Sequence, residues 1–340
     1  MNDGPRADTG PDEPYVSTGH LPSSDRVKRL VLEAHRRFRS VTEGRRSSVY
    51  PALERVPPEL FGISVAGVDG SIYSVGDAEH PFTIMSVAKP FVFALVCQAR
   101  GAEAVHRTLG VNATGQPFNA LSPIEWSPDG RTNPMVNSGA IAATTLVPGA
   151  TTEARWRFIL DGLSAFAGRP LSLDEEVLAS ATATNARNQS IARLLQSYGR
   201  LALEPAEAAD LYTRQSSLSV TARDLAVMGA TLADGGVNPI TDARVVDAAT
   251  SRYTLAVMTT AGLYETSGDW LFDIGLPGKS GIGGGILAVA PGKGGLGTFA
   301  PLLDDSGNSV KGQLVAKFLS ERLGLNLFVS EVAPHAAPPT

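Results

Sequence analysis

Two strand pairs lie almost a whole chain apart, and that separation constrains the fold more than any other feature. The first is Leu60–Val68, the turn Asp69-Gly70, and Ser71–Val75. The second is Gly285–Ala290, the turn Pro291–Gly295, and Leu296–Ala300. Short β-rich runs joined by Asp-Gly or Pro-Gly turns read as hairpins. Between them, from about 100 to 235, the pattern is helical, clearest at 153–167, 189–203, 205–213 and 221–234. Residues 24–40 repeat Val27, Leu30, Val31, Ala34 and Phe38 at helical spacing, and 242–261 and 307–324 also read as helices. In 307–324, Leu314, Val315, Phe318 and Leu319 are expected to face inward. Strands at both ends of a helical middle imply a sheet assembled from distant parts of the chain. The expected class is α+β: an antiparallel sheet flanked by helices, plus a helical lobe, with a cleft between the lobes.

Composition narrows the partners. The 340 residues are 43% hydrophobic and 19% charged, which suits one large domain or two lobes sharing a site. Net charge is −5 with no basic run, so no nucleic-acid partner is expected. No segment approaches the ~20 apolar residues a membrane span needs. Residues 1–22 are polar, without the basic and apolar regions of a secretory signal, and are expected to be a disordered leader. A cytoplasmic location follows as the default. Residues 23–328 are expected to form one domain, with a sheet lobe at about 23–85 and 240–328 and a helical lobe at about 100–235. A disordered tail is expected at 329–340. Cys97 is the sole cysteine and sits in an apolar run, so it reads as a packed thiol. The five histidines form no metal-spaced pair, which disfavours a zinc site or a Ser-His-Asp triad. No metal or other cofactor is expected.

The chemistry concentrates in Phe82-Thr83-Ile84-Met85-Ser86-Val87-Ala88-Lys89. A serine three residues before a lysine, at the start of an apolar helix, puts both polar heads on one face. The amine can take the hydroxyl's proton if burial lowers its pKa. Taken alone, the motif also fits an N-cap serine followed by a solvated lysine. Context decides: hairpin, Ser-x-x-Lys, then the buried run Phe91–Cys97 resembles the opening of the serine β-lactamase and penicillin-binding-protein arrangement. Gly278-Lys279-Ser280 invites a phosphate-loop reading, but Asp273 stands where that loop needs a glycine, and a strand follows instead of a helix. The better reading makes Lys279, Ser280 and Gly281 the second wall of a Ser-x-x-Lys site. Each of the asparagines near 119, 133, 137, 185 and 188 fits a turn or cap, yet neutral amides also recognise an amide substrate.

From about Ser24 to Leu325 the chain resembles the serine-dependent glutaminases, which share the β-lactamase-like fold. The motifs are Val49-Tyr50-Pro51-Ala52-Leu53, the Ser86-Lys89 run, Pro117-Phe118-Asn119-Ala120-Leu121, Asn133–Ala140, Ala186-Arg187-Asn188, Gly262-Leu263-Tyr264, Gly275–Gly285 and Asp304–Ser309. The resemblance implies hydrolysis of glutamine to glutamate and ammonia through a Ser86 ester, with Lys89 as base. It implies an oxyanion hole from the backbone N–H groups of Ser86 and Ile282. Asn137, Asn188, Tyr212 and Tyr264 match substrate-binding positions, and Tyr50 matches a tyrosine that relays protons near the nucleophile. Tyr264 is a candidate for the same catalytic service. Family members commonly self-associate, so a homo-oligomer, dimer or tetramer, is implied.

Two positions depart from the family pattern. Ala181 stands seven residues before Asn188, where the family has a glutamate that helps hold the substrate, and Met85 replaces a common glutamine. Losing a charge-assisted bond to a substrate ammonium costs about 1.5–3 kcal/mol, or about 10- to 150-fold in binding. The expectation is an intact acylation apparatus with altered glutamine recognition. Asp174, Glu175 and Glu176 are the nearest upstream acids and have no place in the site from sequence. Two other readings stand beside this one: a penicillin-interactive hydrolase or peptidase of the same fold, and a non-catalytic amino-acid-binding homologue.

Overall fold

A computed structural model describes residues 19–330. The expected leader and tail therefore lie outside the described residues, except at 19–22 and 329–330. The chain opens with α1 (Ser24–Phe38), then β1 (Gly62–Gly67), β2 (Ile72–Gly76) and the short β3 (Phe82–Thr83). Helices α2 (Ala88–Arg100), α3 (Ala102–Leu109), α4 (Ser122–Trp126), α5 (Asn137–Thr145) and α6 (Thr152–Ala167) follow. Next come β4 (Ser172–Leu173), α7 (Glu175–Ala183), α8 (Ala186–Ser197), α9 (Pro205–Ser216), β5 (Leu218–Val220), α10 (Ala222–Ala233), α11 (Ala248–Ala261) and α12 (Ser267–Ile274). The chain ends with β6 (Gly278–Ser280), β7 (Gly285–Ala290), β8 (Gly294–Phe299) and α13 (Val310–Leu323).

Both hairpins form, and they meet. The main sheet runs β2-β1-β8-β7-β6, all antiparallel. Its seam joins β1 to β8, from Gly62 opposite Phe299 to Gly67 opposite Gly294. Asp69 holds the first turn by accepting from Ser71 N at 3.0 Å, and Gly70 takes φ +81°. Side chains of β7 alternate between two cores. Ile286, Ala288 and Ala290 face a layer built from α1, α12 and α13, while Leu287 and Val289 face the helical core around α2. Leu21 packs on the outer layer. Because helices cover both faces, β1, β7 and β8 are buried at every position.

Several boundaries differ from the sequence expectation. Helix α10, assigned by sequence to the helical lobe, lies on the sheet against β1, β7 and β8. Glycine makes that approach possible: a Cβ at Gly297 would meet Ala222 O at 2.1 Å, and one at Gly295 would meet Ala226 O at 2.3 Å. Helix α11 starts at Ala248 rather than 242, because Asp247 caps it by accepting from Thr250 N at 2.7 Å. Helix α8 begins at Ala186, ahead of the expected 189. Leu314 is half-buried, while Val315, Phe318 and Leu319 face the core as expected. Helix α12 and a second sheet, β3-β5-β4, had no clear sequence signal. Cys97 is buried in α2, and burial pushes its thiol up to about 12. No helix among the described residues is long and apolar enough to cross a membrane.

Candidate active site

The small sheet sets the nucleophile. Strand β3 pairs with β5, and Ile84 N donates to Leu218 O at 2.8 Å as the chain leaves the sheet. The chain must then turn at once into α2. It does so through a 3-10 turn, Met85–Val87, with Met85 at φ +48°. That conformation is strained for a side chain bearing a Cβ, and Met85 is held there by packing against Ala52, Leu53 and Val177. Ser86 therefore sits one step ahead of the helix and stays 8% exposed, while Lys89 in the first helical turn is 2% exposed.

Lys89 Nζ donates to Met135 O at 3.1 Å and to Asn137 Oδ1 at 2.7 Å. These acceptors are fixed by a turn in which Asn133 Oδ1 accepts from Met135 N at 2.9 Å. Gly139 lets the turn pack on α5, because a Cβ there would meet Asn133 O at 1.9 Å. Ser86 Oγ does not itself hydrogen-bond to Lys89 Nζ. The two meet through tyrosines: the rings of Tyr264 and Tyr212 lie 5.5 and 5.9 Å from Nζ, and both hydroxyls face Ser86.

A line of amides extends from the lysine. Asn137 Nδ2 donates to Asn188 Oδ1 at 2.9 Å, Asn188 Nδ2 to Asn185 Oδ1 at 2.9 Å, and Asn185 Nδ2 to Thr213 Oγ1 at 2.7 Å. Tyr212 Oη also donates to Asn137 Oδ1 at 3.0 Å. Every amide oxygen in the line points toward Lys89, and every bond polarises the next. Asn185 and Thr213 were not singled out as site residues. Asn185 carried a signal, three residues before Asn188 at the head of a helix, whereas Thr213 carried none.

The second wall is β6. Lys279 is fully buried, its Nζ 4.0 Å from the centre of the Tyr264 ring and donating to Ser280 O at 2.7 Å. A Cβ on Gly281 would stand 3.2 Å from Ser86 N, so the wall abuts the nucleophile's own amide. Tyr264 is held at φ +60°. Its hydroxyl and that of Ser280 are buried without a well-placed partner, although both Ser86 and Ser280 lie near enough to favour the phenolate slightly.

Burial dominates the electrostatics. It holds Lys89 well below the usual lysine range; it does the same to Lys279, with repulsion from Lys89 adding to it. Burial raises Tyr50, Tyr212 and Tyr264, so all three are protonated phenols at neutral pH.

One cleft gathers most of the expected residues: Tyr50, Ser86, Asn137, Asn188, Tyr212 and Ile282 line it, together with Ala181. Lys89, Tyr264, Lys279 and Ser280 lie behind this lining, and Gly281 abuts Ser86. The three upstream acids lie outside it. Asp174 caps α7 through Val177 N and accepts from Thr83 Oγ1 at 2.9 Å, Glu176 pairs with Arg55, and Glu175 is exposed. No group of three or more His, Cys, Asp or Glu side chains among the described residues is placed to hold a metal.

Comparison with known proteins agrees in every direction. A family model described as Glutaminase matches residues 44–328. Glutaminase 2 of Yersinia pestis is 67% identical over 317 residues, which covers 93% of each chain. A solved structure described as a probable glutaminase superposes with TM-score 0.89 at 41% identity, covering 91% of this chain and all of that one. Another, described as Mglu in its glutamate form, gives TM-score 0.82 at 38% identity over 91% of this chain and 70% of that chain.

Proposed function

On the premise that the chain belongs to the glutaminase family and hydrolyses L-glutamine to L-glutamate and ammonia, we propose that Ser86 is its nucleophile and Lys89 the base that activates it. The observation that carries this is how Lys89 Nζ is bonded. A neutral amine has two hydrogens and one lone pair. Met135 O and Asn137 Oδ1 accept from the amine, so both hydrogens are engaged and the lone pair remains for the Ser86 proton. Burial favours the neutral form. A direct Ser86–Lys89 bond is not required at rest, since such contacts tighten when substrate is present.

The steps follow from the geometry. Ser86 Oγ bonds to the side-chain carboxamide carbon as its proton passes to Lys89. The carbonyl oxygen becomes an oxyanion, held by the N–H groups of Ser86 and Ile282, neither of which donates to another described group. Tyr264, a protonated phenol with no fixed partner, hands the proton on to the leaving nitrogen and regains one from Lys89. The C–N bond breaks, ammonia leaves, and a γ-glutamyl ester remains on Ser86. Water then attacks the ester with Lys89 again as base, the bond to Ser86 Oγ breaks, Oγ takes the proton back from Lys89, and glutamate leaves. Tyr50, beside Asn188, lines the cleft and belongs to substrate binding in this scheme. The homo-oligomeric state implied by the resemblance and the cytoplasmic location expected by default belong to the same proposal; sedimentation and cell fractionation test them.

Ammonia release from glutamine tests the assignment. Ser86→Ala is expected to abolish it, and Lys89→Met to lower kcat by about 10²- to 10⁴-fold, the usual worth of a general base. Substantial turnover by Ser86→Ala would overturn the nucleophile assignment.

A further inference from the structure

The cleft is one-sided in charge. Arg187 carries the one formal charge among its lining residues, and none of them is aspartate or glutamate. Lys89 and Lys279 stand behind Ser86 and bring it no negative charge. Glu265, whose charge is felt by Tyr264, is exposed and outside the lining. At the end of α7, Ala181 offers the cleft a buried methyl group.

The amide oxygens are neutral and partly engaged. Asn137 Oδ1 accepts from Lys89 and Tyr212, Asn188 Oδ1 from Asn137, and Asn185 Oδ1 from Asn188. Each Nδ2 has a second hydrogen to offer, and the acceptors that remain, one position each on Asn188 Oδ1 and Asn185 Oδ1, carry no charge. Donors beside an arginine suit a carboxylate. An ammonium needs acceptors, and it gains most from an ionised one.

We propose that the site takes ω-carboxamides bearing a distal carboxylate and draws little recognition from an α-ammonium. Glutaramate, which is glutamine without that ammonium, is then a substrate: its amide C–N bond is hydrolysed by water to give glutarate and ammonia. The inference rests on the glutamine-hydrolase reading and names the substrate class of that same site.

Ammonia release by the purified full chain from glutamine and from glutaramate decides it. The expected result is a kcat/KM for glutaramate at or above that for glutamine. Ala181→Glu is expected to shift the ratio toward glutamine by about 10- to 150-fold, the worth of one charge-assisted bond. The wild-type comparison stands if that variant fails to fold. Release from glutamine with none from glutaramate overturns this inference and leaves the hydrolase reading intact. Release from neither substrate overturns both.

Discussion

Two buried lysines with no carboxylate beside them are a destabilising choice that makes sense only if one must be neutral. Lys89 works as a base in its uncharged form, so activity falls as pH drops through its lowered pKa. Repulsion from Lys89 adds to burial in disfavouring the charged form of Lys279. Lys279→Met then removes no charge at neutral pH, and the acid limb of kcat/KM, set by Lys89, is expected to stay in place. A limb moved to higher pH in a folded variant would show that Lys279 carries charge where Lys89 titrates. Tyr264→Phe separates chemistry from stability. Its hydroxyl has no well-placed partner, so deletion leaves no stranded group and Tm should stay near wild type. Loss of the proton donor should lower kcat about 10²-fold or more. A large Tm loss with kcat preserved would show a structural hydroxyl instead. At this scale the sequence was legible where spacing carried the chemistry, as in Ser86-x-x-Lys89 and Lys279-Ser280-Gly281. Asn137, Asn188 and Tyr212 come from separate helices, and only resemblance joined them. The positive φ of Met85 was invisible, because packing holds it there and no glycine announces it.

Elements were legible when one face met water or a turn residue marked the end. Helix α1 buries Val27, Leu30, Val31 and Ala34, half-buries His35 and Phe38 and exposes the rest of its length, so periodicity located it well. The Asp-Gly and Pro-Gly turns placed both hairpins. Helix α10 serves both sides: Leu225, Met228 and Leu232 belong to the helical core, while Ala226, Val227 and Ala230 pack on Ala66 of β1. Nearly all of its residues are buried, and a helix apolar all round carries no information about which neighbour covers it. Its true position depends on glycines in β8 that look like ordinary strand weakeners in sequence. Gly297→Ala tests this reading. The new methyl would meet the Ala222 carbonyl at 2.1 Å, a backbone atom with no room to yield. We expect a loss of about 1–3 kcal/mol by urea denaturation. Gly268→Ala is the control without crowding, since its φ is not positive and nothing lies within 4 Å of its Cβ position. An effect at Gly297 no larger than at Gly268 would mean that α10 does not press on the sheet as described.

The whole molecule is closed by its seam. Residues 62–67 pair with 294–299, and α1 packs on α13, so elements from the two ends of the described chain complete one layer. The expectation of two lobes suggests two unfolding steps, and chains of this size often show them. The cores argue otherwise. Neighbouring residues of β7 belong to different cores, Ile286 and Ala288 to the outer one, Leu287 and Val289 to the helical one. Stripping either layer from the sheet exposes apolar faces and leaves the other core with half a wall. Two tryptophans report on the two sides: Trp156 in α6 lies in the helical core, and Trp270 in α12 lies in the outer core with its indole N–H on Leu276 O at 2.7 Å. Exposed Trp126 is removed as Trp126→Phe, and each of the other two is then followed alone in urea. Coincident midpoints, matching the loss of helical circular dichroism, are expected for one cooperative unit. If Trp270 reports first while Trp156 and most helix persist, the outer layer is a separate folding unit. The helical side would then hold Ser86 and Lys89 without the β6 wall, and activity should vanish with the earlier transition.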